Sequence, residues 1–231
     1  MRLPVRPARA RRLGRDARDV MARKPRKEDV LNEFRRSELI AAARHVFGMH
    51  GFENATMEAV ARQAGVAKGT VYLYYNSKRA IYEAALRASL EELEAVMRKR
   101  VEAADTLQSA IAAFVASRVE YFQERQDFFR MYVDEIGSRV RAPKRQRRNL
   151  CGAMIDRQAR ILEHLIATAV DRGEIRKVDP RATALAVFDM TRGLVARHLL
   201  SQERSDTARD VAFLTDLIWT GLRPARRKQT S

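Results

Sequence analysis

The residues with the clearest chemistry are a tight turn and a group of hydrogen-bond donors between positions 65 and 78. Gly65 can adopt the positive φ that a tight turn between two helices requires, and Val66 can fill the gap between them. The donors that follow suit phosphate oxygens and base edges, namely Thr70, Tyr72, Tyr74 and Lys78. This chemistry is noncovalent recognition of a polyanion, and the spacing predicts the turn and second helix of a helix-turn-helix that faces DNA.

Two helices must hold this turn from its N-terminal side. Apolar side chains recur at helical spacing from Leu31 to Met49, and Gly51 offers a left-handed stop, which predicts the first helix. Thr56 is expected to cap a short second helix, with Glu58 placed favourably for the helix dipole in its first turn.

The turn leads into a third helix, predicted over about Ala67 to Tyr75, which would enter the major groove. Asn76 or Ser77 should then cap a long fourth helix that continues through Met97 and connects two domains. Its length would allow it to act as a lever between them.

The pattern from residue 40 to residue 78 resembles the N-terminal region of the TetR family of transcriptional regulators. The residues that carry this resemblance are Ile40, Ala43, Phe47, Gly51, Thr56, Val60, Ala61, Ala64, Gly65, Val66, Lys68, Gly69, Thr70, Tyr72, Tyr74, Tyr75 and Lys78. Beyond residue 90 the chain is similar to the family in helical layout and length. The resemblance implies an all-helical homodimer, usually a repressor, with a ligand cavity in the larger C-terminal domain.

The resemblance also implies roles for individual residues at the DNA surface. Backbone phosphates on either side of the groove would be bound by Thr56 and Lys78. Hydroxyl contacts to phosphates would come from Thr70, Tyr72 and Tyr74, and the base-edge candidates are Ala67, Lys68 and Gly69. The alternative is that the tyrosines are partly core and that Thr56 only caps its helix. For Tyr75 a core position is expected.

Five further helices are predicted, and no strand pattern competes with them. The first of them starts at a cap formed by Asp105 and Gln108, and the next two span about Asp127 to Ile136 and about Leu150 to Arg172. The fourth starts at Pro180, after the cap Asp179, and ends at about Leu200. The last starts at Ser205 or Asp206 and ends at about Gly221. The predicted fold class is therefore all-α with about nine helices, an N-terminal three-helix helix-turn-helix domain and a larger C-terminal helical domain for ligand binding and dimerisation.

Four segments are expected along the 231 residues. They are a disordered basic arm at 1–27, the helix-turn-helix domain at 28–78, the effector-binding and dimerisation domain at 79–223, and a flexible basic tail at 224–231. The arm carries eleven Lys or Arg and two Asp, so +9 of the net charge of +16 lies there. Such an arm either lies along phosphates or the minor groove, or is an unstructured tail whose first residues precede an alternative start at Met21.

Two arginines interrupt apolar stripes in the predicted C-terminal domain. Helical geometry turns Arg118 and Arg192 toward aromatic neighbours, and an inward guanidinium needs an anionic partner. The partner would be an acidic ligand, such as a fatty acid or acyl thioester, or an internal carboxylate on Glu120, Asp134, Glu135 or Asp189, unless the side chains extend to the surface.

A ligand cavity and a dimer interface are both expected in this domain. The cavity residues would be Phe114, Arg118, Phe122, Phe129, Tyr132, His164, Phe188 and Arg192, although aromatic residues at this spacing also suit a core and His164 a surface position. The dimer residues would be Ala182, Ala186, Gly193, Leu214, Ile218 and Leu222, since the family pairs its last two helices; an intramolecular core is the alternative. The basic stretch Arg139 to Arg148 is expected to be a solvated interhelix loop, which would add long-range attraction to DNA if it pointed toward the duplex.

The composition narrows the class of function. The single cysteine, Cys151, excludes an internal disulfide and suits the cytoplasm, and neither a metal nor a cofactor is predicted. No apolar run suits a membrane span, and no phosphate-binding glycine loop, HExxH or nucleophile elbow indicates an enzyme. The sequence thus predicts a ligand-responsive repressor that binds a palindromic operator as a homodimer, with a small-molecule effector. The alternatives are an activator of the same fold or a ligand-insensitive architectural DNA-binding protein.

Overall fold

A computed structural model describes residues 26–141, 150–200 and 206–224. Within these ranges the chain forms nine helices and no strands, which confirms the all-α prediction. The helices are α1 (Lys27–Asn54), α2 (Met57–Gln63), α3 (Lys68–Tyr74), α4 (Lys78–Glu102), α5 (Leu107–Glu124), α6 (Gln126–Arg141), α7 (Leu150–Asp171), α8 (Pro180–Leu200) and α9 (Thr207–Leu222). Almost all of the predicted basic arm, most of the predicted tail and most of the basic interhelix stretch lie outside the described residues. The first part of that stretch, residues 139–141, belongs to α6 and not to a loop.

Contacts divide the chain into one unit that ends at Ser37 and a second that begins at Glu38. The first unit contributes the N-terminal part of α1, whose apolar side chains Val30, Leu31 and Phe34 are exposed. The second unit contains both the helix-turn-helix region and the larger helical region, so residues on both sides of the predicted boundary at position 78 lie in it.

Local capping explains where the helices near the turn begin and end. Gly51 has φ 70° and ψ 171°, so the first helix bends at the predicted stop before it ends at Asn54. The Thr56 hydroxyl accepts a hydrogen bond from the Ala59 amide at 3.1 Å, and the Ser77 hydroxyl accepts one from the Ala80 amide at 3.1 Å. Both predicted caps are therefore present.

The predicted start of α5 is off by one residue. Thr106, and not Asp105, is the N-cap: its hydroxyl accepts a hydrogen bond from the Ser109 amide at 3.1 Å, while the Ser109 hydroxyl accepts one from the Thr106 amide at 3.0 Å. This reciprocal pair satisfies two amides that the first helical turn would otherwise leave free. The caps predicted for the last two helices, Asp179 and Asp206, are found as expected.

Helix α5 is the centre of the larger helical region and contacts α4, α6, α7, α8 and α9. Its buried face joins α6 in a cluster of aromatic rings, in which Phe122 stacks on Phe128 with centroids 5.1 Å apart and meets Phe129 edge-on at 5.8 Å. Such ring pairs add specific geometry to the apolar burial that holds the helices together.

Helix α6 also packs against α1 and α4 within the second unit. Gly48 of α1 lies so close to Asp127 that a Cβ atom added at Gly48 would stand 2.5 Å from the Asp127 Cα. The Tyr82 hydroxyl of α4 donates to the Met131 carbonyl at 3.1 Å, and the Arg79 guanidinium pairs with Glu135 at 3.4 Å. Helix α6 is thus held by the two helices that flank the helix-turn-helix.

Among the described helices, none combines the length and apolar character needed to cross a membrane.

Candidate nucleic-acid interface and ligand cavity

The turn between α2 and α3 has the geometry that its residues predict. Gly65 has φ 66°, and the Val66 amide donates to the Ala61 carbonyl at 3.0 Å, which closes the turn. Val71 is fully buried and anchors α3 to the core, and Tyr75 is buried as expected. One face of α3 is therefore fixed, and the opposite face is left for a partner.

The exposed face of α3 brings together most of the predicted DNA-binding residues. Ala67, Lys68, Gly69 and Tyr72 are exposed, whereas Thr70 is half-buried. The side chain of Tyr74 is also half-buried and packs against the core, as the core alternative for the tyrosines supposed.

Lys68, the predicted base-edge donor, is engaged in the protein without DNA. Its ammonium group donates a hydrogen bond to the Glu58 carboxylate of α2 and lies 5.9 Å from the centroid of the Tyr72 ring. The hydrogen bond raises the pKa of Lys68 and lowers the pKa of Glu58, so both groups are charged at neutral pH. Base contact by Lys68 would require this exposed pair to open.

The two predicted phosphate-binding residues also have intramolecular partners. The Lys78 ammonium donates to the Glu53 carbonyl at 3.0 Å and lies 4.7 Å from the centroid of the Phe52 ring. The Thr56 hydroxyl accepts the capping hydrogen bond of α2, yet its side chain is exposed. Both residues flank α3 at the starts of neighbouring helices.

The sequence interpretation missed Leu73. This side chain lies on α3 beside Tyr72 and is 84% exposed, the largest exposure among the large apolar residues of the described chain. An exposed leucine on the free face of a groove-entering helix can contact thymine methyl groups. Its position three residues after Thr70 and four after Gly69 was the available signal, because residues at those spacings share a helix face.

Known proteins share both halves of this architecture. The profile described as "Bacterial regulatory proteins, tetR family" matches residues 39–85, and the profile described as "Tetracyclin repressor-like, C-terminal domain" matches residues 103–213. The chain belongs to the TetR family. Its helix-turn-helix is therefore the DNA-binding element of a transcriptional regulator.

Relatives of the same length range agree with this assignment. The HTH-type transcriptional regulator UidR of Escherichia coli strain K12 is 25% identical over 187 residues, which cover 79% of this chain and 88% of UidR. The HTH-type transcriptional regulator BetI of Ectopseudomonas mendocina is 27% identical over 191 residues, which cover 79% of this chain and 92% of BetI.

Solved structures share the fold. FadR from Bacillus subtilis, solved in complex with stearoyl-CoA, has a TM-score of 0.66 at 19% identity, with 80% of this chain and 98% of FadR covered. PfmR from Thermus thermophilus, a TetR family transcriptional regulator, has a TM-score of 0.64 at 25% identity, with 80% of this chain and 99% of PfmR covered.

A cavity of about 340 Å³ lies between α5, α6 and α8 of the TetR-like C-terminal region. Its lining includes five of the predicted ligand-binding residues, namely Arg118, Phe122, Phe129, Tyr132 and Arg192. The other three lie elsewhere: Phe114 is buried in the core, His164 lines a separate surface pocket with Arg160 and Asp179, and Phe188 packs on Arg118. Among the described residues, no cluster of side chains could hold a metal ion.

Arg118 is turned inward, as predicted, and is only 1% exposed. Its guanidinium donates to the Gln158 side-chain oxygen of α7 and lies 4.1 Å from the centroid of the Phe188 ring. Its Nε makes no hydrogen bond with any described residue. Burial lowers the pKa of Arg118, an effect that interaction with the Tyr132 side chain opposes.

The charged end of Arg192 does not turn inward, which agrees with the alternatives of pairing with Asp189 and extension to the surface. Its side chain is 46% exposed and pairs with Asp189 on the same helix at 3.0 Å. The long aliphatic stem allows the charged end to reach water although the stem lies beside the cavity. Of the proposed internal partners, Asp189 is thus used by Arg192, and Glu120 and Glu135 pair with Arg100 and Arg79.

The predicted dimer residues divide between surface and core. The small residues of α8, Ala182, Ala186 and Gly193, are exposed along one side of the helix. The three predicted residues of α9 are buried within the protomer, namely Leu214, Ile218 and Leu222. The exposed apolar side chains of α9 are instead Phe213 and Leu217, because they lie on the opposite face of the same helix.

Proposed function

We propose that this TetR family member is a ligand-responsive repressor that binds a palindromic operator as a homodimer in the cytoplasm. The observation that carries the proposal is the exposed surface of α3, where Lys68, Tyr72 and Leu73 face solvent while Val71 is buried and anchors the helix. Because an α-helix fits into the major groove, its exposed hydrogen-bond donors can contact base edges and its exposed apolar groups can contact thymine methyl groups.

The DNA contacts fall into two groups. Base edges would be contacted from Ala67, Lys68, Gly69, Tyr72 and Leu73, while phosphates would be bound by Thr56, Thr70 and Lys78, with Tyr74 assigned to the core instead. Because a single helix of this size contacts only a few base pairs, useful specificity requires two copies on one face of the duplex. This requirement supports the homodimer and the palindrome.

The surface available for dimerisation lies on α8 and α9. The exposed small residues of α8 allow close approach of a partner helix, and Phe213 and Leu217 supply exposed apolar area on α9. This surface replaces the buried residues Leu214, Ile218 and Leu222 in our proposal, since side chains within the protomer core are not available to a partner.

Ligand response is supported by the position of α6. Phe129, Tyr132 and Ile136 line the cavity, while other residues of the same helix bind α1 and α4. A ligand that displaced α6 would shift helices that position α3, which is the physical requirement for coupling two sites. In this proposal α4 still connects the DNA-binding region to the ligand-binding region, and α6 is the helix that contacts the ligand.

The related fold of FadR, solved with stearoyl-CoA, makes an acyl ligand one candidate effector. The cavity of about 340 Å³ is at the lower end of the range of about 300–1,000 Å³ typical of ligand sites. We therefore favour an effector more compact than stearoyl-CoA.

DNA selection with the full chain, followed by footprinting, tests the proposal. We expect enrichment of an inverted repeat and protection of two half-sites spaced by about 10 base pairs or a multiple of that distance. Transcription in vitro from a promoter that carries the selected site should fall when the protein is added. Uniform protection without sequence preference would contradict the operator proposal, and increased transcription would contradict repression.

A further inference from the structure

The cavity wall carries one positive charge that the described residues do not neutralise. Arg118, Arg192 and Asp189 are its charged residues, and Asp189 pairs with Arg192 at 3.0 Å. Arg118 donates to a neutral amide, Gln158, and among the described residues no carboxylate lies within ion-pair distance of it; Asp189, which is paired with Arg192, attracts it only from farther away. A buried guanidinium in this state is destabilising for the protein, since both desolvation and an unmade hydrogen bond oppose it.

The parts of the chain outside the described ranges offer few counter-charges. Residues 142–149, which follow α6, contain four Lys or Arg and neither Asp nor Glu. Residues 201–205 contain a single acid, Glu203, and residues 1–25 contain Asp16 and Asp19. Glu203, which is near α8 in the sequence, is therefore the acidic residue of the chain that competes with a bound anion as the counter-charge of Arg118.

The rest of the cavity is apolar and aromatic. Phe122, Phe129 and Tyr132 present rings, and Val133 and Ile136 present aliphatic groups. The guanidinium of Arg118 lies 4.1 Å from the centroid of the Phe188 ring and 5.8 Å from that of Phe122, so aromatic side chains adjoin the charge. A ligand that fits must combine an apolar body with a single negative group.

We propose that this cavity binds a monocarboxylate with a compact apolar or aromatic body, and that the Nε–H of Arg118 donates a hydrogen bond to the carboxylate. One uncompensated positive charge matches one negative charge, and a charge-assisted hydrogen bond in a buried site is stronger than one to a neutral group. The inference rests on the proposed function, because it identifies the chemical class of the effector at that site.

Matched ligand pairs test the charge requirement. Calorimetric titration of the full chain would compare 3-phenylpropionate, 4-phenylbutyrate, octanoate and decanoate with their primary amides and with the corresponding amines. We expect at least one carboxylate to bind about tenfold or more tightly than its amide, because the amide cannot satisfy the guanidinium charge. Absence of any preference for the acids across the series, or preference for the amines, would overturn the inference.

The variant Arg118→Gln assigns this preference to the residue. Glutamine can still form a hydrogen bond with Gln158. We therefore expect the ratio of the affinity for the carboxylate to the affinity for its amide to fall to about one, while the affinity for the amide stays constant. Arg160→Gln, which removes a cation from the separate pocket beside His164, is the matched control and should leave the ratio unchanged. Equal ratios in Arg118→Gln and the wild type would contradict the role of Arg118, and Glu203→Gln should leave carboxylate binding unaltered.

A stability measurement tests the missing counter-charge without any ligand. The double variant Arg118→Met, Gln158→Met replaces both polar partners by apolar groups of similar size, so neither polar group remains buried without its hydrogen-bond partner. We expect it to unfold at the same or a higher temperature than the wild type, since it removes an uncompensated buried charge. A clear fall in unfolding temperature would show that the protein itself compensates Arg118, and the inference would be wrong.

Operator release separates the ligand class from the proposed function. If carboxylates bind through Arg118 but leave the affinity for the selected operator unchanged, the cavity assignment stands and the ligand-responsive regulator is wrong. If a neutral compound releases the operator and no carboxylate binds, ligand response stands and the carboxylate assignment is wrong.

Discussion

At the scale of single residues, α3 shows how one short helix serves two purposes. Val71 is completely buried and fixes the helix, whereas Leu73, two residues later, is 84% exposed. Because successive residues in a helix are rotated by about 100°, two such neighbours point to different surroundings. An exposed leucine has no role in the core of the protomer, so its contribution should be to recognition.

Leu73→Ala tests this separation. We expect the free energy of unfolding to change by less than about 0.5 kcal/mol, as for other exposed positions. Operator binding should weaken by about 1 kcal/mol through lost apolar contact, measured by fluorescence anisotropy. Leu73→Met, which keeps the apolar surface, should bind nearly as well as the wild type. An equal loss on random DNA would contradict a sequence-specific contact.

The pair formed by Glu58 and Lys68 should oppose DNA binding. Glu58→Gln removes a negative charge from the DNA surface and frees the Lys68 ammonium, so we expect tighter binding at low salt and a smaller gain at high salt. Glu91→Gln, at an exposed position on α4, is the control for the change of net charge. Weaker operator binding by Glu58→Gln would show that the pair instead orients Lys68 for contact.

At the scale of helices, a polar network joins α1, α4 and α5. Glu92 of α4 pairs with Arg44 of α1 at 3.3 Å and with Arg125 at the end of α5, and it accepts a hydrogen bond from the Tyr121 hydroxyl at 2.9 Å. Partial burial raises the pKa of Glu92, but the hydrogen bonds from Arg125 and Tyr121 outweigh it, so the pKa lies below its usual value.

This pKa shift predicts acid sensitivity. The ionised Glu92 carboxylate stabilises the folded state above its unfolded pKa, and this contribution is lost as the pH falls through the lower folded pKa. Glu92→Gln should therefore reduce stability at neutral pH by about 1 kcal/mol, a value reduced for solvent screening, and weaken the fall in stability below about pH 4.5. Urea unfolding between neutral and acidic pH measures both, with Glu124→Gln as the exposed control. Parallel pH profiles for the wild type and Glu92→Gln would contradict the prediction.

Two glycines provide a matched pair for helix packing. Gly48→Ala would place a Cβ atom 2.5 Å from the Asp127 Cα and 2.8 Å from its carbonyl oxygen, so α1 and α6 must separate. We expect a loss of about 1–3 kcal/mol in the free energy of unfolding. Among the described residues, no atom beyond the chain neighbours and the helix's own backbone lies within 4 Å of a Cβ atom at Gly193, so Gly193→Ala should not destabilise the protomer. Thermal unfolding that showed no difference between these variants would contradict the close α1–α6 contact.

At the scale of the whole molecule, the proposed operator binding depends on a second copy of the chain. Gly193 belongs both to the exposed small-residue side of α8 and to the lining of the cavity. In the proposed dimer, the partner would therefore approach next to the ligand site. Ligand binding could then change the spacing of the two α3 helices through both α6 and the dimer interface.

Leu217→Glu tests the dimer surface. A charge at this half-exposed position of α9 should leave the protomer folded but prevent apolar association, because an unpaired carboxylate would be buried at the interface. We expect a monomer by sedimentation at micromolar concentration and a loss of more than about tenfold in operator affinity, since one half-site alone binds weakly. Leu217→Met should remain dimeric. A dimer formed by Leu217→Glu would place the interface elsewhere.

The amino-acid sequence alone determined the existence of the nine described helices, most of their starts and the turn, because caps and turns depend on neighbours within about four residues. Gly65, Ser77 and Asp206 act locally as predicted, and the one misplaced cap, at Thr106, was decided by an equally local bond to Ser109. Helical periodicity also identified the apolar stripe on which Arg118 lies.

Only the tertiary structure decided which face of each helix is covered and by what. Arg118 and Arg192 interrupt similar stripes, but Gln158 from α7 reaches the first, whereas the second lies where its side chain can extend to water. In the same way, α9 buries Ile218 and exposes its neighbour Leu217. Periodicity groups residues onto a face, but the partner of that face comes from residues distant in sequence, and their approach is set by the packing of the whole bundle.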